Sequence, residues 1–177
     1  MKLVILDRDG VINQDSEHYI KSPEEWQPIP GSLEAIARFT QEGWRVVVAT
    51  NQSGISRGLF DMSALNAMHA KMHRAVAQAG GRIDAVFYCA ESADSNSPYR
   101  KPNPGMLLAI AERFNVTLAG MPAVGDSIRD LQAASAAGAQ PVLVRTGKGA
   151  ITEADAKVPD GTRVFADLAA VAHAYVT

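Results

Sequence analysis

Short, almost purely apolar runs recur along the chain, and they limit its fold more than any other feature: LVIL (3–6), VVVA within WRVVVAT (44–50), AVFYC within IDAVFYC (83–89), PAV within MPAVGD (121–126) and VLV within PVLVRTG (141–147). A strand that alternates apolar with polar residues has one wet face. A strand that does not is buried on both, and such strands are typical of parallel sheets covered by helices. The stretches between the runs carry helical punctuation. Ser32 reads as an N-cap with Gly43 closing the helix, and Leu33, Ile36, Ala37 and Phe39 form its apolar face. Asp61 reads as the N-cap of a longer helix with an inward stripe of Leu65, Met68, Met72 and Val76, ended by Gly80. Asn103 caps a helix with Pro104 at its first position, Ser127–Ala137 forms another closed by Gly138, and a short strand near Val164 and a helix from Asp167 finish the chain. The expectation is an α/β protein, residues 1–177 as a single domain, with a mostly parallel sheet and helices on both faces.

Composition narrows the classes of function. With 177 residues and 47% apolar content, one domain can bury a real core. A net charge of −2 gives no general attraction to nucleic acid or to an anionic membrane. The single cysteine, Cys89, excludes an intrachain disulfide and fits a reducing compartment. No signal peptide and no apolar segment of membrane-spanning length is visible, so a soluble cytoplasmic protein is expected. The longest aperiodic segment is Gly10–Pro30, and loops of that length are usually functional or disordered.

In an open parallel sheet the ligand site lies at the carboxyl ends of the strands. Asp7 and Asp9 follow the first run, Thr50 and Asn51 the second, Arg100 and Lys101 the third; Asp126 and Ser127 follow the fourth, with Asp130 one turn further on. Taken singly, a loop carboxylate is usually solvated and a threonine after a strand usually a cap. Brought to one sheet edge, the set has a coherent chemistry. Asp7 and Asp126 are hard oxygen ligands of the kind Mg²⁺ prefers, and a dication would offset the repulsion among the acids. Bound to the metal, Asp7, whose free pKa is about 3.9, would stay ionised and serve as a nucleophile toward phosphorus. Asp9 would protonate the leaving alkoxide and then deprotonate water. Thr50 and Lys101 would hold the phosphoryl oxygens.

The stretches DRDG, TNQSG, RKPNPGM and VGDSIRDLQAA resemble the four motifs of the haloacid dehalogenase (HAD) superfamily, a likeness covering almost the whole chain. More narrowly, LDRDGVIN, ATNQSGISRG, RKPNPGMLL and VLVRTGK resemble the heptose-bisphosphate 7-phosphatases, with the histidinol-phosphate phosphatases as relatives. The resemblance implies a Rossmann-like sheet without a large cap domain, Mg²⁺ dependence, and phosphomonoester hydrolysis through an aspartyl-phosphate. It implies Asp7 as nucleophile and metal ligand, and Asp9 as acid/base with its backbone carbonyl on the metal. Asp126 would be the other metal carboxylate, and Thr50, Asn51 and Lys101 would contact phosphate. Arg57 and Arg100 would recognise the rest of a doubly phosphorylated sugar, as bidentate guanidinium groups can. The implied partner is a small phosphorylated sugar handled by a monomer, with no nucleic acid and no membrane.

One stretch departs from the family. Many relatives carry a structural zinc loop with ligands in a C-x-H … C-x-C arrangement, but here CAESADSNSPYRKP retains only Cys89, so no structural zinc is expected. The weighed alternatives are a histidinol-phosphate or other small-metabolite phosphatase, a phosphotransferase on the same scaffold, and a non-enzymatic receiver-like phosphoacceptor domain. His69 and His73, four apart, lack a third ligand and read as surface or partly buried residues. GMPAVGDS nearly matches a P-loop but has Asp126 where lysine is required.

Overall fold

The apolar runs pair side by side in a computed structural model that describes residues 1–176. The strands are β1 (Leu3–Leu6), β2 (Arg45–Asn51), β3 (Ala85–Cys89), β4 (Pro122–Gly125), β5 (Gln140–Val144) and β6 (Arg163–Phe165). All pair in parallel, in the order β3-β2-β1-β4-β5-β6. The helices are α1 (Ser32–Gln41), α2 (Met62–Gln78), α3 (Gly105–Phe114), α4 (Ile128–Ala136), α5 (Gly149–Glu153) and α6 (Leu168–Tyr175).

Side chains alternate across a strand, so neighbours in β1 and β2 enter different cores. Val4, Leu6, Val46 and Val48 pack with α1, α2 and α6 on one face, while Leu3, Ile5, Val47 and Ala49 pack with α3 and Ala134 of α4 on the other. Both faces of β1 and β2 are covered, as runs without polar alternation require, whereas β3 at the sheet edge is only partly buried and leaves Tyr88 exposed. Among the described residues, no helix is long and apolar enough to cross a membrane.

Strand order also positions the site. From β1 the chain builds outward through β2 and β3, then returns to β4 on the other flank of β1 and continues through β5 and β6. The reversal opens a crevice at the carboxyl ends of β1 and β4. A receiver domain has the order 2-1-3-4-5, so this topology removes the phosphoacceptor alternative.

Asp61 caps α2 as expected, and Asp167, at the start of the expected last helix, is the cap of α6; they accept from the amides of Ala64 and Ala170 at 2.9 Å each. Two other expected caps shift. Ser32 is the first residue of α1 rather than its cap; Gly31, at φ 88°, holds that place, and the Ser32 hydroxyl donates to Val11 O at 2.7 Å. Asn103 likewise yields to Pro104, and its amide donates to Ser97 O at 2.9 Å. In both cases a polar side chain finds a tertiary acceptor invisible to local pattern.

The aperiodic segment is an ordered flap. Asn13 bridges to Asp9 and to Pro28, and Ile12, Ile20 and Trp26 reach into the core beside α1 and α2. Lys71 of α2 pins it: its Nζ donates to Pro23 O and Trp26 O, each at 2.7 Å, and lies 5.8 Å from the centre of the Trp26 ring. Charged hydrogen bonds of this kind contribute roughly 2 kcal/mol each. Lys71→Met should therefore speed amide exchange across residues 19–27 by at least about tenfold, while exchange in β1 and β2 stays unchanged. Unchanged protection in the flap by mass-resolved hydrogen exchange would count against Lys71 as its pin.

Candidate active site

At the carboxyl edge of the sheet lies a cleft of about 410 Å³, lined by all the residues singled out from sequence: Asp7, Asp9, Thr50, Asn51, Arg57, Arg100, Lys101 and Asp126. The amide of Asp7 donates to Val124 O at 2.9 Å, which extends the β1–β4 ladder past the end of β1. Asp7 and Asp126 thereby stand side by side at the crevice. One oxygen from each of Asp7, Asp126 and Asp130 lies within 4.8 Å of the others.

Asp130 already has its partners. Oδ1 accepts from Lys101 Nζ at 2.7 Å, and Oδ2 accepts from the amides of Asp126 and Ser127 and from the Ser127 hydroxyl. Burial pushes its carboxyl up, but Lys101 and Ser127 more than offset this and leave it below the usual carboxylate range. Lys101 is only 4% exposed and spends its ammonium on Asp130, on Asp7 Oδ1 at 3.2 Å and on Ala49 O at 2.8 Å. Burial alone would lower its pKa; the two carboxylates outweigh that and raise it, so the ammonium is permanent.

Asp7 and Asp126 are less well compensated. Burial, then repulsion from Asp130, holds Asp7 well above the usual range despite Lys101. Burial and Asp130 push Asp126 up to about 7, although Oδ2 accepts from the Lys148 amide at 2.9 Å. The backbone closes around this second carboxylate. Gly10 (φ 83°) and Gly147 (φ 56°) both press against it, and a Cβ at either would collide with its oxygens. Two hard-oxygen donors, aimed at one point and short of positive charge, fit a divalent cation. Asp9 stands apart. Its Oδ1 accepts from Arg8 Nε and Asn13 Nδ2 at 2.9 Å each, while Oδ2 has Gln52 Nε2 at 3.4 Å, so its carboxylate lies outside the acid cluster.

Thr50 is buried, and its hydroxyl accepts from Gln52 Nε2 at 3.0 Å. The Asn51 amide is spent on the Lys101 backbone, accepting from its N–H at 3.1 Å and donating to its carbonyl at 3.0 Å; it holds the loop that carries the lysine. Arg57 stacks over the Tyr19 ring at 5.9 Å, joining the flap to the loop after β2. Lys148 Nζ lies 3.7 Å from Asp15 across the cleft mouth.

Several lining residues escaped sequence reasoning. Arg129 on the first turn of α4 joins Arg57 and Arg100 around the cleft; its position beside Ser127 was the available signal, but only helix phase says which way it faces. Burial, then the charges of Arg129 and Arg57, lowers the pKa of Arg100. Gln52 links Thr50 to Asp9. Behind the lining, Arg8 is wholly buried and reaches His69, which is partly buried as expected.

Known proteins resemble this chain in sequence and fold. A HAD-hydrolase-like family model matches residues 98–171. The D-glycero-β-D-manno-heptose-1,7-bisphosphate 7-phosphatase of Bordetella bronchiseptica is 62% identical over 172 residues, covering 97% of this chain and 96% of the relative. The enzyme of that name from Pseudomonas aeruginosa is 56% identical, with 97% and 96% covered. The crystal structure of the B. bronchiseptica D,D-heptose 1,7-bisphosphate phosphatase complexed with magnesium and phosphate superposes with a TM-score of 0.97 at 61% identity, covering 98% of this chain and 97% of that one. A Burkholderia thailandensis phosphatase structure of the same name gives 0.81 at 56% identity, with 100% and 99% covered.

The acid pair has a consequence for stability. Between the ordinary carboxylate pKa and about 7, native Asp126 holds a proton that the unfolded chain has lost, so metal-free stability should fall as pH rises through that window. Asp7, also raised, acts in the same direction. A divalent cation should relieve this, giving a larger rise in Tm at about pH 8 than at about pH 5. Equal shifts in the two buffers, measured against chelator, would contradict the assignment.

Proposed function

As a member of the heptose-bisphosphate phosphatase family of HAD-like hydrolases, to which it belongs, the chain is a phosphoric monoester hydrolase, and we propose that it removes the 7-phosphate of D-glycero-D-manno-heptose 1,7-bisphosphate with Mg²⁺ as cofactor. The observation that carries the reading is the pair Asp7 and Asp126, under-compensated and converging beside Lys101, with the Asp9 carboxylate held out of the cluster.

Asp7 acts first. Its carboxylate oxygen bonds to phosphorus, the bond from phosphorus to the sugar oxygen breaks, and Asp9 in its acid form gives its proton to the departing alkoxide. Water then attacks the aspartyl-phosphate while Asp9 takes back a proton. The Asp7–phosphorus bond breaks, and inorganic phosphate leaves with the Asp7 carboxylate restored. Lys101, beside Asp7, and the Thr50 hydroxyl balance charge on the phosphoryl oxygens, while Asn51 keeps the lysine loop in place. Asp7 and Asp126, with the Asp9 carbonyl, would hold Mg²⁺, which when bound offsets the acids' repulsion and polarises a phosphoryl oxygen.

The second phosphate has a natural seat. Arg57, Arg100 and Arg129 line the cleft, and among the described residues none of them pairs with a carboxylate. Buried Arg100 Nε has no hydrogen-bond partner among the described residues. These guanidinium groups supply anion affinity in a chain of net charge −2. The reading includes one phosphatase domain over residues 1–177, acting as a cytoplasmic monomer without nucleic acid. It needs no structural zinc: the lone Cys89 is buried, with its Sγ 3.9 Å from the Ser97 hydroxyl.

Asp7→Asn should lower kcat by at least about a thousandfold with the melting temperature preserved; substantial residual turnover would remove Asp7 as nucleophile. Arg57→Ala and Arg100→Ala should each cost roughly ten- to a hundredfold more in kcat/KM on a sugar bisphosphate than on a monoester. Steady-state comparison of both heptose bisphosphate anomers, histidinol phosphate and fructose bisphosphate tests the substrate. A preference for histidinol phosphate would overturn the sugar while sparing the hydrolytic chemistry.

A further inference from the structure

Arg8 sits between two aspartates in sequence, yet its side chain turns away from the cleft and is 0% exposed. Its Nε donates to Asp9 Oδ1 at 2.9 Å, and Nη2 lies 2.9 Å from the same oxygen. Its Nη1 lies 3.2 Å from Nε2 of His69 on α2, sixty-one residues away. A guanidinium only donates, so His69 Nε2 must accept, which makes the imidazole neutral with its proton on Nδ1. Burial first, then the Arg8 charge, brings the His69 pKa down to about 4, in keeping with that tautomer. On the other side, Asn13 Nδ2 donates to Asp9 Oδ1 at 2.9 Å. One carboxylate oxygen of Asp9 is therefore saturated by two side chains. The other, Oδ2, has among the described residues only the long contact to Gln52, and the Asp9 residue lines the cleft.

We propose that Arg8, braced by His69, is a positioning residue that locks Asp9 through Oδ1 and thereby reserves Oδ2 as the oxygen that carries the proton. The inference rests on the acid/base role of Asp9 given above. A carboxylate free to rotate would present either oxygen and lose its aim at the leaving group, and angular precision of this kind is a large part of proton-transfer efficiency. His69 contributes by fixing the far end of the guanidinium. Without that acceptor, a buried Arg8 nitrogen loses its partner and the fork can swing away from Asp9.

The brace is distinguishable from a merely structural contact by its dependence on the leaving group. A sugar alkoxide must be protonated as it departs; p-nitrophenolate need not be. In rapid-quench measurements of aspartyl-phosphate formation, His69→Leu should slow the burst with heptose 1,7-bisphosphate by roughly ten- to a hundredfold and leave that with p-nitrophenyl phosphate nearly unchanged. His69→Gln, whose amide oxygen can accept from Arg8, should restore most of the rate. Arg8→Lys should show the same asymmetry if it folds by circular dichroism; if it does not, the His69 pair decides. Equal slowing with both substrates, or none with either, would overturn the brace. Asp9→Asn separates the layers. If it shows the asymmetry and His69→Leu does not, the brace alone fails. If it slows both substrates equally, the acid role of Asp9 falls and the inference falls with it.

Discussion

The Lys101 ammonium, buried among Asp7, Asp130 and the Ala49 carbonyl, is the contact on which the site depends. Its partners come from the ends of β1 and β2 and from the first turn of α4 after β4, while the lysine itself follows β3. One side chain thus draws four strand ends to a common point. Taking an ammonium and carboxylates out of water costs several kcal/mol per ion, and the arrangement is tolerable because every donor of the ammonium has an acceptor. Removing the lysine would strand two buried acids beside a third. The ion cluster is weak evidence for stability, but it dictates where the acids stand.

Around this point the backbone leaves little room. Thr146 donates to Gly10 O at 2.7 Å and Thr152 donates to Asp126 O at 2.7 Å, so the segment after β5 is stitched both to the flap and to the end of β4. Gly10 and Gly147 come so near the Asp126 carboxylate that no side chain fits at either. The same features that crowd the acids also bury them, and burial is the first cause of the raised pKa at Asp7 and Asp126. Packing therefore creates the electrostatic deficit that a cation would relieve. The Asp9 carboxylate stands apart from this deficit, 2.9 Å from the Arg8 guanidinium.

The basic and acidic parts of the cleft are segregated. Acids line its floor at the strand ends, and the arginines and Lys148 line its rim with the flap residues Asp15 and Tyr19. A monoester phosphate suits the acids once a dication is present, whereas a second anionic group would find Arg57, Arg100 and Arg129, none of which is paired with a carboxylate among the described residues. In a chain of slightly negative net charge, these cations are a local concentration of positive charge rather than a general basic surface.

Much of this was readable from residue order. Unbroken apolar runs with helical segments between them called for a parallel sheet covered on both faces, because any other arrangement leaves one face of those strands wet. The parallel sheet in turn brought the residues after each strand to one edge, so Asp7, Thr50, Lys101 and Asp126 could be grouped before any coordinates. Local punctuation held where the side chain had nowhere else to go, as at Asp61 and Asp167, and slipped at Ser32 and Asn103, whose polar groups met distant carbonyls. Residue types and spacing thus carried the sheet and the roster of charged groups, since both follow from short-range periodicity and chain direction. Which acids stay uncompensated, which way Arg129 faces, how a flap without periodicity packs Trp26 into the core, and that Arg8 and His69 meet across sixty-one residues were settled by packing. Those are properties of three-dimensional neighbours, and a linear pattern does not record who the neighbours are.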